Sequence, residues 1–423
     1  PMKRTVIIGA GLGGLATGCL LAAQGHPVTV LERTGKVGGK MSEKRMDGFR
    51  FDTGPSVLTM LPVLCELFAR TGARLEDYVD AQPLDLLCRY HFSDGTRFDN
   101  MLDPEQNRLE VERLAPGESS AFDAFMDYSR RLYELTEPVF LRNPLYSATD
   151  FKALPFRDLT RIDALTTVSS RVDRSFASPH LRQFFKRFTT YNGSDPHQAP
   201  ATLNVIPHVE LALGAWYVRG GMYRIALAMQ KRLEELGGTV RTGVDVERIV
   251  VDRGRVTGVG TSEGGVDAAR VVCNADMAEA VRRLLEGRTG IVERTRDRFT
   301  EPSSSGLVVL AGTDRRWDAL AHHTIFFSRD YQKEFHQIFK ERRLAEDPTL
   351  YVADTSAHDP GHAPAGGSNL FILINTPHLT GPSRDDGRNP SPASAAADAS
   401  WMREADRIVD RLERRGLEGL RAS

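Results

Sequence analysis

The chain has 423 residues, 41% of them hydrophobic and 26% charged, with a formal net charge of -1. That length exceeds what one hydrophobic core usually serves, so two domains or lobes are expected, and the near-zero charge gives no electrostatic ground for a nucleic-acid partner. The four cysteines, Cys19, Cys65, Cys88 and Cys273, are scattered without metal-ligand spacing, which suits buried thiols in a reducing compartment and indicates neither a disulfide framework nor a metal site.

In chain order, Thr5-Val6-Ile7-Ile8 predicts a short strand that runs into Gly9-Ala10-Gly11-Leu12-Gly13-Gly14 and a small-residue helix. Gly9 permits the tight turn. Gly11 lets the backbone approach a pyrophosphate. Gly14 lets the helix pack close to the strand, and the helix N-terminus offers free N–H groups and a positive dipole end to phosphate. Val28-Thr29-Val30-Leu31 predicts the next strand, with Glu32 at its tip, where a carboxylate can accept hydrogen bonds from a ribose hydroxyl. Together these parts predict a dinucleotide site; the glycines alone do not separate one dinucleotide from another. Gly38-Gly39-Lys40 follows, paired glycines that bring backbone close to a cofactor beside a cation that can neutralise phosphate. Arg33 fits near ribose or pyrophosphate, or equally as an exposed arginine. Phe51-Asp52-Thr53-Gly54-Pro55 closes this region.

Further on, Leu61, Leu64, Leu67 and Phe68 have helical spacing and read as core. Tyr90-His91-Phe92 and Thr96-Arg97-Phe98 flank Ser93-Asp94-Gly95, a hairpin signal, with His91 an alternating strand residue. From about 151 to 215 the chain is rich in aromatics and arginine. Phe184, Phe185 and Phe188 interleave with Arg182, Lys186 and Arg187, which suits either a membrane-surface helix or a core helix with a solvated basic face. Trp216 to Tyr223 leads into a helix through Leu236. Strands are predicted over 239–251 and 256–261 and over 269–276, the last running out into a loop. Leu370-Phe371-Ile372-Leu373-Ile374-Asn375 predicts a buried strand, 380–400 a flexible loop, and 401–414 a charged helix. No apolar run reaches the roughly 18 residues of a bilayer span.

These residues resemble the bacterial phytoene desaturase family of carotenoid desaturases, within the amine-oxidase-like flavoproteins. The matches are the glycine turn at 9–14, Gly38-Gly39-Lys40, Phe51-Asp52-Thr53-Gly54-Pro55, Arg219-Gly220-Gly221-Met222 and Val272-Cys273-Asn274-Ala275-Asp276. Thr190-Tyr191-Asn192-Gly193-Ser194-Asp195-Pro196 looks most like the hydroxycarotenoid 3,4-desaturase branch. The resemblance implies an α/β fold: a Rossmann-like FAD-binding domain of the GR2 flavoprotein type with a mixed α+β substrate domain. It implies a first FAD-binding segment at 1–90, a substrate and membrane-facing segment at 91–215, a second FAD-binding segment at 216–290 and a second substrate segment with a C-terminal helix at 291–423. The implied cofactor is FAD, and no metal. It would be held by Gly9, Gly11, Gly13, Gly14, Glu32, Arg33, Gly38, Gly39, Lys40, Asp52, Gly54, Pro55 and Val246, with Val244 and Val246 near adenine and Asp52 to Pro55 near the flavin ring.

The implied activity is an FAD-dependent oxidoreductase acting on CH–CH bonds, introducing double bonds into a linear C40 carotenoid, phytoene or a 1-hydroxycarotenoid, in carotenoid biosynthesis. Oxygen or a quinone would be the electron acceptor, and the protein would lie in the cytoplasm against the inner face of the cell membrane. Asp52 and Asp195 are conceivable bases, but each is also well explained as a turn residue, so no catalytic residue is assigned. The same motifs would serve a non-redox cis–trans isomerase or another flavin amine oxidase. Family members carry a further glycine-rich segment of the His-Pro-Gly-Gly type that closes over the flavin. The chain stops at Ser423 without it, so an inactive truncated member is a further expectation.

Overall fold

A computed structural model describes residues 4–143, 161–285, 302–378 and 394–423. The chain forms two compact units, one from Pro1–Gln82 and Trp216–Glu301, the other from Pro83–Ala215 and Pro302–Ser423. The first crossing falls at Gln82 rather than near residue 90, because strand Leu86–His91 is built into the sheet of the second unit.

The first unit is organised by a four-stranded parallel sheet in the order Arg270–Cys273, Thr5–Ile8, Val28–Glu32, Thr239–Thr242. Both faces are covered, which is why its strands are nearly continuous in apolar residues. Ile7 and Val30 pack under helices Leu12–Ala23 and Tyr223–Glu235 through Leu15, Ile225, Met229 and Leu233. The two helices approach closely at Gly18, where a Cβ would lie 3.1 Å from Leu233 Cδ2. On the other face Val6, Ile8 and Leu31 pack with Val244, Val246 and Val259. The strand expected over 239–251 is two, Thr239–Thr242 and Val246–Asp252, in different sheets. Gly243 turns the chain between them at φ +75°. Val246–Asp252, Arg255–Thr261 and Gly264–Asp267 form the second, antiparallel sheet.

The second unit holds a six-stranded sheet in the order Ser305–Thr313, Ser368–Thr376, Leu350–Asp354, His323–Phe326, Leu86–His91, Arg97–Met101. The expected hairpin at 93–95 joins the last two, with Gly95 at φ +88°. Helix Ser394–Arg414 covers one face with Ile408 and Leu412. It begins seven residues before the expected start, so 394–400 is helix and not loop; the rest of that expected loop, 380–393, lies outside the described residues.

The membrane-surface alternative for the 179–188 region does not hold. Phe184, Phe185 and Phe188 are all buried, stacked among Phe122, Phe125 and Phe176, so this segment presents no apolar face to a bilayer. Arg187 is buried too, ion-paired to Glu210. No described helix is long and apolar enough to cross a membrane.

Candidate functional site

The first strand ends at Ile8 and the chain turns at Gly9, whose φ of +94° favours glycine. A Cβ on Gly14 would lie 2.1 Å from the Gly9 carbonyl oxygen, so helix and turn meet backbone to backbone. Gly11 is the N-cap of helix Leu12–Ala23, with no side-chain cap and no acid in the first turn. The first-turn N–H groups are therefore left for an external acceptor, and Gly13 among them is exposed.

The paired glycines come to the same place. Gly38 N–H donates to the Ala10 carbonyl at 2.8 Å, and Gly38 bridges Gly11 in parallel. A Cβ on Gly39 would lie 3.3 Å from the Gly11 Cα. Gly54 extends the stack, since its Cβ would lie 1.9 Å from the Lys40 carbonyl oxygen. Three glycine segments distant in sequence thus share one backbone cradle. Lys40 and Pro55 stand exposed at its edge, and Arg33 is half-buried.

Glu32 is buried, and its carboxylate is already engaged. Ala10 N–H donates to Oε2 at 2.8 Å, and the Thr34 amide and hydroxyl donate to Oε1 at 2.9 Å each. A carboxylate has about four acceptor sites. Glu32 therefore clamps the glycine turn and keeps capacity for one further donor such as a ribose hydroxyl. Val244 N–H donates to the Glu32 carbonyl at 2.9 Å, bringing the 244–246 segment beside that strand tip; Val246 itself is buried and pairs with Thr261.

Asp52 is bound to the protein's own groups. It is buried, accepts from Arg50 at 2.7 Å, and accepts from the Met222 and Tyr223 amides at 3.2 and 3.4 Å. It caps helix Tyr223–Glu235 and pairs with a buried guanidinium, so its carboxylate is not available as a base. Arg50 also donates to Glu43 at 2.8 Å. Burial pushes the Glu43 carboxyl up, but hydrogen bonds from Arg50 and Arg45 outweigh it and leave it below its usual value. Asp195 accepts from the His197 amide at 2.9 Å and the Gln198 side chain at 2.7 Å, the geometry of a turn residue.

Two residues of this region lay outside the sequence-derived set. Asn274 follows strand Arg270–Cys273, and its amide N–H donates to the Ile8 carbonyl at 2.9 Å. Its side chain lies over the loop, where a Cβ on Gly13 would come within 2.6 Å of Oδ1 and one on Gly11 within 3.2 Å of Nδ2. Gly221, at φ +95°, leaves the room that Arg50 fills: a Cβ there would meet the guanidinium at 2.0 Å. The signal for both was their place in the matched segments at 219–222 and 272–276.

The fit to a dinucleotide is thus a matter of backbone. The glycines leave no Cβ where the segments meet backbone to backbone, an uncapped helix start faces the cradle, and a fixed acid stands at the second strand. A parallel α/β sheet with this cradle and a second, mixed unit defines the FAD-binding oxidoreductase class. The flavin containing amine oxidoreductase family matches residues 12–386. A 4,4'-diapolycopene oxygenase of Methylomonas sp is 38% identical over 99% of this chain and 82% of its own length. A 1-hydroxycarotenoid 3,4-desaturase of Flavobacterium sp. is 34% identical over 89% of this chain and 77% of its own. A 4,4'-diaponeurosporene oxygenase of Staphylococcus aureus is 31% identical over 99% and 82%. Among solved structures, an oxidoreductase from Methanosarcina mazei superposes with a TM-score of 0.64 at 17% identity, covering 97% of this chain and 84% of that one. Putrescine oxidase superposes at 0.57 and 16% identity, covering 89% and 76%; these two likenesses speak for the fold alone. The chain belongs to the flavin containing amine oxidoreductase family, in its carotenoid desaturase-like branch. It is an oxidoreductase whose cofactor is FAD.

Proposed function

We propose that this chain oxidises a linear carotenoid in carotenoid biosynthesis, and that the reaction is oxygenation. The observation that carries this is the 38% identity to a 4,4'-diapolycopene oxygenase along 99% of the chain, repeated at 31% with the staphylococcal diaponeurosporene oxygenase. A second reading, desaturation of a C40 carotenoid such as phytoene or a 1-hydroxycarotenoid, is favoured by the 34% identity to the 3,4-desaturase and by the likeness of the 190–196 segment to that branch.

Bound FAD would supply a hydride acceptor, which balances desaturation together with loss of a proton and balances oxygenation where water supplies the added oxygen atom. The residues of the first unit hold it: the first-turn amides of helix Leu12–Ala23 and the glycine cradle take the pyrophosphate, Glu32 the ribose, and Lys40 lends positive charge. In this reading the first unit is the FAD-binding domain and the second the substrate domain. The substrate is a long, largely apolar polyene that dissolves in lipid, so the protein meets a bilayer surface from the cytoplasmic side, and oxygen or a quinone takes up the electrons.

The test is a product analysis. Purified FAD-loaded protein is given liposomes carrying lycopene, phytoene or a 1-hydroxycarotenoid under air, and products are separated and weighed by mass spectrometry. Gain of oxygen supports the first reading and loss of two hydrogens the second. Geometric isomers of unchanged mass would replace both with a non-redox isomerase. Turnover of putrescine with no effect on any carotenoid would place the chain among amine oxidases.

A further inference from the structure

The six-stranded sheet of the second unit has two unlike faces. Phe326, Leu350, Val352, Leu370 and Ile372 lie on the face covered by helix Ser394–Arg414. Alternation along the strands puts their neighbours on the other face. There the register sets Val308, Leu373, Tyr351, Ile325 and Tyr90 side by side across five strands. At its Tyr90 end this row is roofed, with Phe184 edge-on to the ring and the Arg187 guanidinium over it. Toward the other end the roof gives out: Val308 is 38% exposed, and Leu373 and Tyr351 are half-buried.

A polar pair stands where the open strip meets the roofed part. His323 shares the face of Ile325, two residues on, and the Tyr351 hydroxyl lies 2.8 Å from its Nδ1. The imidazole is 3% exposed, and its Nε2 has no hydrogen-bond partner among the described residues. Burial keeps the ring neutral, pushing its pKa down to about 3, and the charges of His358 and Arg187 act in the same direction. In the tautomer in which Tyr351 donates to Nδ1, the single imidazole proton sits on Nε2. That is a buried donor without an acceptor, which folded chains rarely leave standing.

We propose that His323, oriented by Tyr351, is a specificity-determining residue that donates a hydrogen bond to a hydroxyl or carbonyl oxygen at one end of the linear carotenoid, while Val308, Leu373 and the Tyr351 ring carry the adjoining hydrocarbon. This rests on the carotenoid reading above. A neutral donor suits a neutral oxygen, and an apolar strip ending in one donor distinguishes an oxygenated chain end from a plain hydrocarbon.

The experiment compares kcat/KM for an oxygenated linear carotenoid and its parent hydrocarbon, both in phosphatidylcholine vesicles with FAD-loaded protein. The variants are His323→Phe and Tyr351→Phe. The preference for the oxygenated substrate should fall about tenfold in each, mainly through KM, as expected for one buried hydrogen bond. An unchanged preference, or equal losses on both substrates, overturns the proposal. Should His323→Phe not fold, Tyr351→Phe keeps the ring packing and carries the comparison. Should the wild type oxidise neither substrate, the carotenoid reading fails. Quenching of flavin fluorescence by each carotenoid then still decides whether the pair selects an oxygenated ligand.

Discussion

Replacing Arg50 by methionine tests how the cradle is tied to the helix behind it. Arg50 is 2% exposed and joins Glu43, Asp52 and, by the space it fills, Gly221. Removing one partner of a buried ion pair costs about 3–5 kcal/mol, because the other charge is left uncompensated. The structure says which charge matters. The Glu43 side chain is 22% exposed and can rehydrate, whereas that of Asp52 is 3% exposed and would retain only amide bonds of 3.2 and 3.4 Å. Most of the loss is therefore expected from Asp52. Adding Asp52→Asn to Arg50→Met should restore about 1–3 kcal/mol, the cost of an unsatisfied buried group. Urea unfolding gives the stabilities, and hydrogen exchange of helix Tyr223–Glu235 shows where they act. A single-variant loss below about 1 kcal/mol, or a double variant less stable than the single one, would refute the argument.

Three further outcomes are expected. Gly14→Ala should purify without flavin, read as the flavin-to-protein absorbance ratio, because its Cβ meets a backbone carbonyl at 2.1 Å and neither partner can move aside. Phe184→Ala should lower stability by about 3–5 kcal/mol in denaturant titration while leaving vesicle binding unchanged, since this ring is core; loss of vesicle binding with full stability would return it to the membrane surface. Glu334 is buried, and burial raises its pKa to about 7 against the pull of hydrogen bonds from Ser328 and Thr349. A carboxyl raised on folding contributes stability that is full below its ordinary value near 4.5 and is lost as pH rises to about 7. Melting temperature should fall across that interval in the wild type and stay flatter in Glu334→Gln.

The strand–turn–helix–strand at the start was legible because each part is dictated locally: a glycine at positive φ, a helix that cannot tolerate a Cβ against the turn, an acid at the strand tip. What lay across the chain was not. No local pattern says that Arg270–Cys273 pairs with Thr5–Ile8, and so nothing in the sequence places the Asn274 side chain over Gly11 and Gly13. Asp52 shows the same limit from the other side. An acid before Gly-Pro reads as a turn or a cofactor contact, but its partner Arg50 is two residues away and the amides it caps are 170 and 171 residues away. Phe184, Phe185 and Phe188 among basic residues fit two environments by spacing alone. Burial decided between them, and burial depends on Phe122, Phe125 and Phe176 arriving from elsewhere.

The order of strands in the parallel sheet sets a timetable for synthesis. Thr5–Ile8 and Val28–Glu32 leave the ribosome first, yet their outer neighbours are Arg270–Cys273 and Thr239–Thr242. Until those emerge, two hydrophobic strand edges and the underside of the glycine turn have no mates, and Pro83–Ala215 has already been made and is free to condense on its own strands and helices. Long-range parallel pairing of this kind is slow and leaves strand edges open to wrong partners. The nascent chain therefore passes through a stage in which the glycine segments of the cradle exist but the sheet beneath them lacks both outer strands, and Asn274 is not yet in place over Gly11 and Gly13.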